Sequence, residues 1–422
     1  MLHAALTASN VAIALSSLLL AVSLIQKASL HYHLSKRPGV RAHSLASSYI
    51  TSSYYAIAAA YAQAQNRLYS FFQGLFDGAP SESPDAVELA FGGKRLIITR
   101  EPEHIKTVLT SKFTEYGKGK LFHRIWLPFL GDSIFSTDGK LWQYSRALIR
   151  PMFTKERIRE LEIFDRWSDV LVSKLPPSGQ TVDISDLFFR MTLDVTTEFL
   201  LGQSVGALDN PKSEFSRAFT EVQRAQVMLT FLAPVSWFVP TSKYKARVKY
   251  IERFIEPYIE KALHLTPAEL EELSKSDREF TFLHNIALSS QDPKVIRDQI
   301  IAVLLAGRDT TAATLSWAMY ELSRYPRIWS KLREDVFKHV GDSRSPTYED
   351  LKNLTYLTHV LNETLRLYPA VPYNWRECST SFLFNTSLTG MYSAALMRGG
   401  ETHSRGLLQF AWPAGSTRHQ DP

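Results

Sequence analysis

The sequence predicts a mainly α-helical fold carrying small β-sheets, and three observations predict it. Asp292 to Arg324 reads as one helix of about 32 residues, roughly 48 Å long. Residues 155–258 repeat the spacing of amphipathic helices, with Pro176-Pro177, Pro211, Pro234 and Pro240 as punctuation. Strand pattern is sparse: Val87 to Phe91 and Leu96 to Thr99 flank Gly92-Gly93-Lys94-Arg95 as a hairpin.

The long helix organises the rest. Asp292 can accept from the free amides of a first turn, Pro293 suits the first helical position, and Pro326 forbids continuation. From Ile300 to Leu305 it is apolar on every face, so it is expected to run through a large core. In its middle stands Ala306-Gly307-Arg308-Asp309-Thr310-Thr311. A glycine there costs about 1 kcal/mol of helix stability, and Asp and Thr offer their side chains to the backbone. Weakening a buried helix in this way marks a place where something besides the helix is being built. The residues alone leave a second reading open, in which Gly307 admits a neighbouring helix, Asp309 forms a buried ion pair and Thr310 caps a kink.

The 422 residues are 45% hydrophobic and 12% aromatic, enough for a large core. A net charge of +6 suits an acidic protein partner or an anionic membrane surface, and no interleaving of aromatic and basic residues points to nucleic acid. One cysteine, Cys378, rules out an internal disulfide, and the twelve histidines lack the paired spacing of a zinc site.

In chain order, Ala4 to Gln26 holds 23 residues without a charge, followed by Lys27, Lys36, Arg37 and Arg41. That order reads as a signal anchor keeping the downstream chain cytosolic, since a cleaved signal peptide puts its charge first. Residues 27–80 read as a linker containing a helical piece. Glu101 to Ser111 reads as a helix, Lys118 to Arg124 as a solvated loop lacking a phosphate-loop ending, and the stretch after Gly131 as a lead into a helix with Trp142 and Arg146 on one face. Tyr244, Val248, Ile251, Ile255 and Tyr258 form the clearest apolar stripe. Thr347 to Asp350 has the form of a capping box. Asn353 to Tyr368 then sets Leu357, Val360, Leu361, Thr364 and Leu365 on a stripe edged by Glu363 and Arg366, a pair that by itself is ordinary surface decoration.

The Trp-x-x-x-Arg helix, the Ala-Gly-x-Asp-Thr-Thr helix and the Glu-x-x-Arg helix running into Leu367-Tyr368-Pro369 occur in the order and at the intervals of the cytochrome P450 monooxygenases, which the chain resembles over about residues 81–377. The sequence around Glu363 and Arg366 leans toward the fungal, membrane-bound branch acting on long-chain alkanes and fatty acids. The resemblance implies a haem cofactor. It implies that Gly307 leaves room for dioxygen, that Thr310 and Asp309 serve oxygen binding and proton relay, that Ala306, Trp142 and Arg146 bind the haem, the last two at a propionate, and that Glu363 and Arg366 support the ligand loop. It also implies an NADPH-dependent reductase as partner, a lipophilic substrate taken near Leu305, Ala306 and Val371, and an endoplasmic-reticulum membrane location with the catalytic part in the cytosol.

The resemblance stops at the iron ligand. The family's Phe-x-x-Gly-x-Arg-x-Cys-x-Gly loop has no counterpart, and Cys378 lies too soon after Arg366 and without the loop's glycines, so it is expected to be structural. The expected division is therefore an anchor over 1–26, a linker over 27–80, a partial P450 core over 81–377 lacking the C-terminal haem-ligand region, and an atypical tail over 378–422 read as a frameshift, retained intron or premature end. A non-catalytic remnant and a membrane-tethered interaction protein are the competing expectations.

Overall fold

The structure, a computed structural model, describes residues 42–46, 49–91, 94–153, 161–233, 238–275, 280–378 and 391–396, with scattered helical positions between 10 and 35. The expected anchor over 1–26 lies largely outside the described residues, and among them no helix is long and apolar enough to cross a membrane.

The chain enters through β1 (His43–Ala46), α1 (Tyr49–Ala64) and α2 (Leu68–Gly74), then forms the expected hairpin from β2 (Ala86–Phe91) and β3 (Lys94–Thr99), with Val87 opposite Ile98. Residues 27–80 are not simply a linker. β1 pairs in parallel with β2, and Ala46, Leu75 and Phe76 join Val87 and Ile98 in one apolar cluster. The physical reason is the outer edge of β2, whose backbone groups β1 satisfies.

α3 (Pro102–Lys106) continues as a wider turn over Thr107–Ser111, and β4 (Tyr116–Gly117) leads into α4 (Gly119–Leu130) and α5 (Gly139–Ile149). The solvated loop expected over Lys118 to Arg124 is thus a helix start. Asp138 supplies what local sequence does not: its carboxylate accepts from the amides of Lys118 at 2.6 Å and Gly119 at 2.8 Å, capping α4 from a distance.

The body of the protein is α6 (Glu162–Ser173), α7 (Ile184–Leu201), α8 (Glu214–Phe231), α9 (Ser242–Leu263), α10 (Pro267–Ser274), α11 (Phe282–Ser289) and α12 (Pro293–Arg324). Phe219, Ile251, Ile255, Phe282, Ile296 and Ile300 meet in its centre, fully enclosed, each worth about 1.5–3 kcal/mol of burial. Of the expected α9 stripe, Tyr244 through Ile255 are buried and Tyr258 is packed at the margin. Its basic residues are not all solvated, because Arg247 reaches Glu221 at 2.6 Å and Glu214 at 2.5 Å on α8.

α13 (Pro326–His339), α14 (Tyr348–Asn353) and α15 (Thr355–Leu367) follow. Thr347 and Asp350 form the expected capping box on α14, the amide of Asp350 donating to Thr347 at 3.2 Å. α15 docks on the end of α12 through Tyr368, whose ring stacks on Trp317 at 4.0 Å and whose hydroxyl donates to Glu321. Its expected apolar stripe is only partly covered: Thr364 is buried but Leu365 is exposed.

β5 (Tyr373–Cys378) and β6 (Met391–Leu396) complete a sheet of order β1-β2-β3-β6-β5-β4. β6 runs parallel to β3 and antiparallel to β5. Part of the tail therefore has a place in the fold, where β6 satisfies both the β3 and β5 edges; residues 379–390 and 397–422 lie outside the described residues.

Candidate functional site

α12 is the helix expected from Asp292, whose carboxylate accepts from the amide of Lys294 at 2.8 Å. Ile300 through Leu304 are enclosed as predicted. Past Leu305 the enclosure becomes one-sided: Ala306, Gly307, Asp309 and Thr310 are half-buried and Thr311 is exposed, while Arg308, Ala312 and Ala313 remain buried. The helix crosses the core for half its length and then runs along its edge.

Gly307, Arg308, Asp309 and Thr310 each have a definite partner. Gly307 faces α7, where a methyl group would come 2.8 Å from Oγ1 and 2.9 Å from Cγ2 of Thr196. Close approach of a neighbouring helix is what its missing side chain permits, and Thr196 occupies the room. Gly307→Ala is expected to cost about 1–3 kcal/mol by overpacking, exceeding the roughly 1 kcal/mol of helix propensity gained. Urea unfolding should show the loss largely recovered when Thr196→Ala is added.

Thr310 donates its hydroxyl to the carbonyl of Ala306 at 2.8 Å, and Thr314 does the same to Thr310 at 2.8 Å. The Thr310 proton is committed to its own helix, leaving the oxygen as an acceptor.

Asp309 is turned toward α8. Gln223 Nε2 donates to its Oδ2 at 2.5 Å and Arg308 to its Oδ1 at 3.1 Å. Arg308 is the buried member: its guanidinium also donates to Oε1 of Gln223 at 3.2 Å and to Thr220 at 3.1 Å, and lies against the rings of Phe189 and Phe219. Loss of water raises the Asp309 pKa, with Arg308 and Gln223 pulling it back, and burial lowers that of Arg308. Thr192 of α7 donates to the Arg308 carbonyl at 2.9 Å, so one residue ties α7, α8 and α12 together.

Upstream in α12, Asp298 is almost fully enclosed. It accepts from Arg297 at 2.6 Å, Lys294 at 3.0 Å and the amide of Asp132 at 2.7 Å. Gln299 donates to Ser145 of α5 at 3.0 Å, which fixes α5 against α12. On α5, Arg146 lies over the Trp142 ring at 5.4 Å, and Trp142 meets Phe113 at 5.2 Å. Arg146 is exposed and makes no ion pair among the described residues. Glu363 and Arg366 bond to each other at 2.7 and 2.5 Å on an exposed face of α15. A narrow apolar cleft lies between α4, α8 and β5, lined by Leu121, Phe122, Ile125, Thr230, Ala233 and Trp375; Leu305, Ala306 and Val371 are not part of it.

Near that cleft, burial pushes the Lys118 ammonium down to about 7, with Arg376 adding to the shift and Asp138 opposing it. From about 7 up to the ordinary lysine range the unfolded chain binds a proton that the folded chain releases, so this group makes stability rise with pH across that window. Lys118→Met should abolish that rise and stabilise the protein at neutral pH by on the order of 1–2 kcal/mol, discounted for the part of the side chain still in water. Thermal unfolding followed across the window checks it.

Asp298, Gln299, Gln223 and Arg308 were not singled out from sequence as functional residues. Only Arg308 carried a signal, a charge directly after an all-apolar helical run.

A helical body with one mixed sheet, traversed by a helix carrying Ala-Gly-x-Asp-Thr-Thr, now meets independent comparison. The cytochrome P450 family model matches residues 70–389, and the chain belongs to that family of haem-dependent monooxygenases. The chain is 46% identical over 306 residues to cytochrome P450 monooxygenase pvhE of Talaromyces variabilis, covering 69% of this chain and 57% of that protein. It is 36% identical over 330 residues to cytochrome P450 52A13 of Debaryomyces hansenii (74% and 62%) and 39% identical over 331 residues to cytochrome P450 52A10 of Candida maltosa (74% and 63%). The crystal structure of the cytochrome P450DA haem domain matches with a TM-score of 0.66 at 16% identity, covering 80% of this chain and 74% of that one, a likeness of fold. The chain thus spans about three-fifths of the length of these curated relatives.

Haem is the cofactor of this family, and the residues present do not form a complete site for it. The single cysteine, Cys378, ends β5 with its backbone paired opposite Tyr116 of β4. Among the described residues no group of three His, Cys, Asp or Glu side chains is placed to hold a metal.

Proposed function

We propose that the chemistry built into this chain is that of a cytochrome P450 monooxygenase, inserting one oxygen atom from dioxygen into a lipophilic substrate of the fatty-acid, alkane or secondary-metabolite kind. The observation that carries it is the pairing of an acid and a hydroxyl, Asp309 and Thr310, on the stretch of α12 where the core stops enclosing the helix. Asp309, whose pKa burial raises while Arg308 and Gln223 pull it back, precedes Thr310, whose oxygen is left as an acceptor. The space beside Gly307 is filled on the α7 side by Thr196. Trp142 and Arg146 are offered as the propionate contact and the Glu363–Arg366 pair as the support of the ligand loop. Electrons come from an NADPH-dependent reductase, and the charge-free run over 4–26 with its basic flank supports a place on the cytosolic face of the endoplasmic reticulum.

The second reading, a non-catalytic chain, is favoured by the place of the single cysteine, Cys378, at the end of a strand and without the glycines of the family's ligand loop around it. A chimera joining residues 1–378 to the remainder of the Talaromyces variabilis relative separates the two. With reductase, NADPH and isotopically labelled dioxygen, it should place labelled oxygen in a fatty acid or alkane, and Asp309→Asn should lower product formed per dioxygen consumed. A chimera that binds haem through a thiolate yet transfers no label to any lipophilic substrate would refute the proposed function.

A further inference from the structure

The connector between α13 and α14 carries a serine that neither the helices nor the oxygen chemistry uses. Residues 341–347, Gly-Asp-Ser-Arg-Ser-Pro-Thr, are seven consecutive exposed positions outside any helix or strand. Pro346 confines Ser345 to extended backbone, because the proline ring clashes with a helical residue before it. An exposed serine on extended chain, with proline next, is what a proline-directed protein kinase accepts. Serine or threonine precedes proline at three places in the sequence, and the other two are occupied locally. Thr266 is locked into the capping box of α10, donating to Glu269 at 2.8 Å and accepting from the Glu269 amide at 3.3 Å. Ser83 is half-buried in a turn, its hydroxyl directed at the carbonyl of Ala86.

Ser345 instead reaches across the molecule. Its hydroxyl donates to Oδ2 of Asp165 on α6 at 2.9 Å, a bond that joins the connector to a helix 180 residues earlier in the chain. Beside it, Arg344 clasps Asp350 of α14 with two bonds, at 2.5 and 3.0 Å. A phosphate on Ser345 would act on both contacts in the same direction. It carries a charge of about −1.5 to −2 at neutral pH and replaces the donated proton with acceptor oxygens, so it repels the Asp165 carboxylate. The same oxygens compete for the planar fork of Arg344, whose present partner is a single carboxylate. Asp350 would keep the Thr347 amide at 2.8 Å and the Thr347 hydroxyl at 2.7 Å, so α14 stays capped while the connector lets go.

We propose that Ser345 is a phosphorylation site and that its phosphate releases the connector between α13 and α14 from α6. In the transfer, Oγ of Ser345 forms a bond to the γ-phosphorus of ATP as the bond from that phosphorus to the departing ADP breaks, and the hydroxyl proton passes to the catalytic aspartate of the kinase. The site is separate from the oxygen chemistry and does not depend on haem.

The test incubates the full chain with a proline-directed kinase and magnesium ATP, maps the phosphate by mass spectrometry, and then follows hydrogen exchange. Phosphate should enter at Ser345 ahead of Thr266 and Ser83, and Ser345→Ala should remove it. Exchange across residues 341–347 should then be several-fold faster in the phosphorylated chain than in the unmodified one. Asp165→Asn supplies the control for mechanism: its amide can donate to a phosphate, so the phosphorylated Asp165→Asn chain should keep the slow exchange. A chain that takes no phosphate at Ser345, whether other sites are modified or none, would overturn the proposal. So would a chain phosphorylated there whose connector exchanges at the same rate or more slowly, since the phosphate would then leave the contact with α6 intact or tighten it.

Discussion

Replacing Gly131 with alanine is expected to cost about 4 kcal/mol or more, enough to leave much of the protein unfolded. Gly131 sits at φ 55° and ψ −146°, a backbone region closed to residues with a side chain. The added methyl would also fall 2.0–2.1 Å from the carboxylate of Asp298. That carboxylate cannot move aside cheaply, because it is enclosed and neutralises Arg297 and Lys294 while accepting from the Asp132 amide. Displacing it leaves buried charge without its partners. Denaturant unfolding monitored by circular dichroism measures the loss; a Gly131→Ala protein within 1 kcal/mol of the parent, by roughly the scatter of a surface change, would mean that α4 and α12 are not locked at this point.

Arg308→Met is the second large effect, expected at on the order of 3–5 kcal/mol at neutral pH. The substitution keeps an aliphatic stem against Phe189 and Phe219 but strips Asp309, Gln223 and Thr220 of their donor. Its pH dependence has a defined sign. The Asp309 pKa is already raised by burial, and without the guanidinium it rises further. A carboxyl whose folded pKa lies above its unfolded value contributes stability that is fully present below the unfolded pKa and is lost as pH rises through the folded one. The deficit of Arg308→Met relative to the parent should therefore shrink as pH is lowered through the acid range. A deficit that is constant with pH would mean that Asp309 does not titrate against Arg308.

Elements governed by local pattern were legible in the sequence. α12 begins and ends where Asp292, Pro293 and Pro326 place it, the hairpin has the predicted strands, and the capping box at Thr347 is formed. What escaped depends on partners distant in sequence. α4 needs Asp138 to cap it, β1 and β6 exist because sheet edges require pairing, and Asp298 owes its role to a glycine turn far upstream. The site divides in the same way. The Asp309 and Thr310 motif was visible, and so was the alternative in which Gly307 serves helix packing and Asp309 a buried ion pair. Both of those packing features are present, through Thr196 and Arg308. Gln223 gave no signal, since a glutamine on an amphipathic helix is ordinary until the fold sets it opposite an acid.

We propose that Gly307, Asp309 and Thr310 are the oxygen-side residues of a P450 and that Cys378, the single cysteine, does not serve as its axial thiolate. The most direct measurement is the reduced carbon-monoxide difference spectrum of the full 422-residue protein after incubation with haem. The predicted result is no band of the thiolate-ligated type, with any bound haem showing a neutral-ligand spectrum. A full thiolate-type band, abolished by Cys378→Ser, would contradict it.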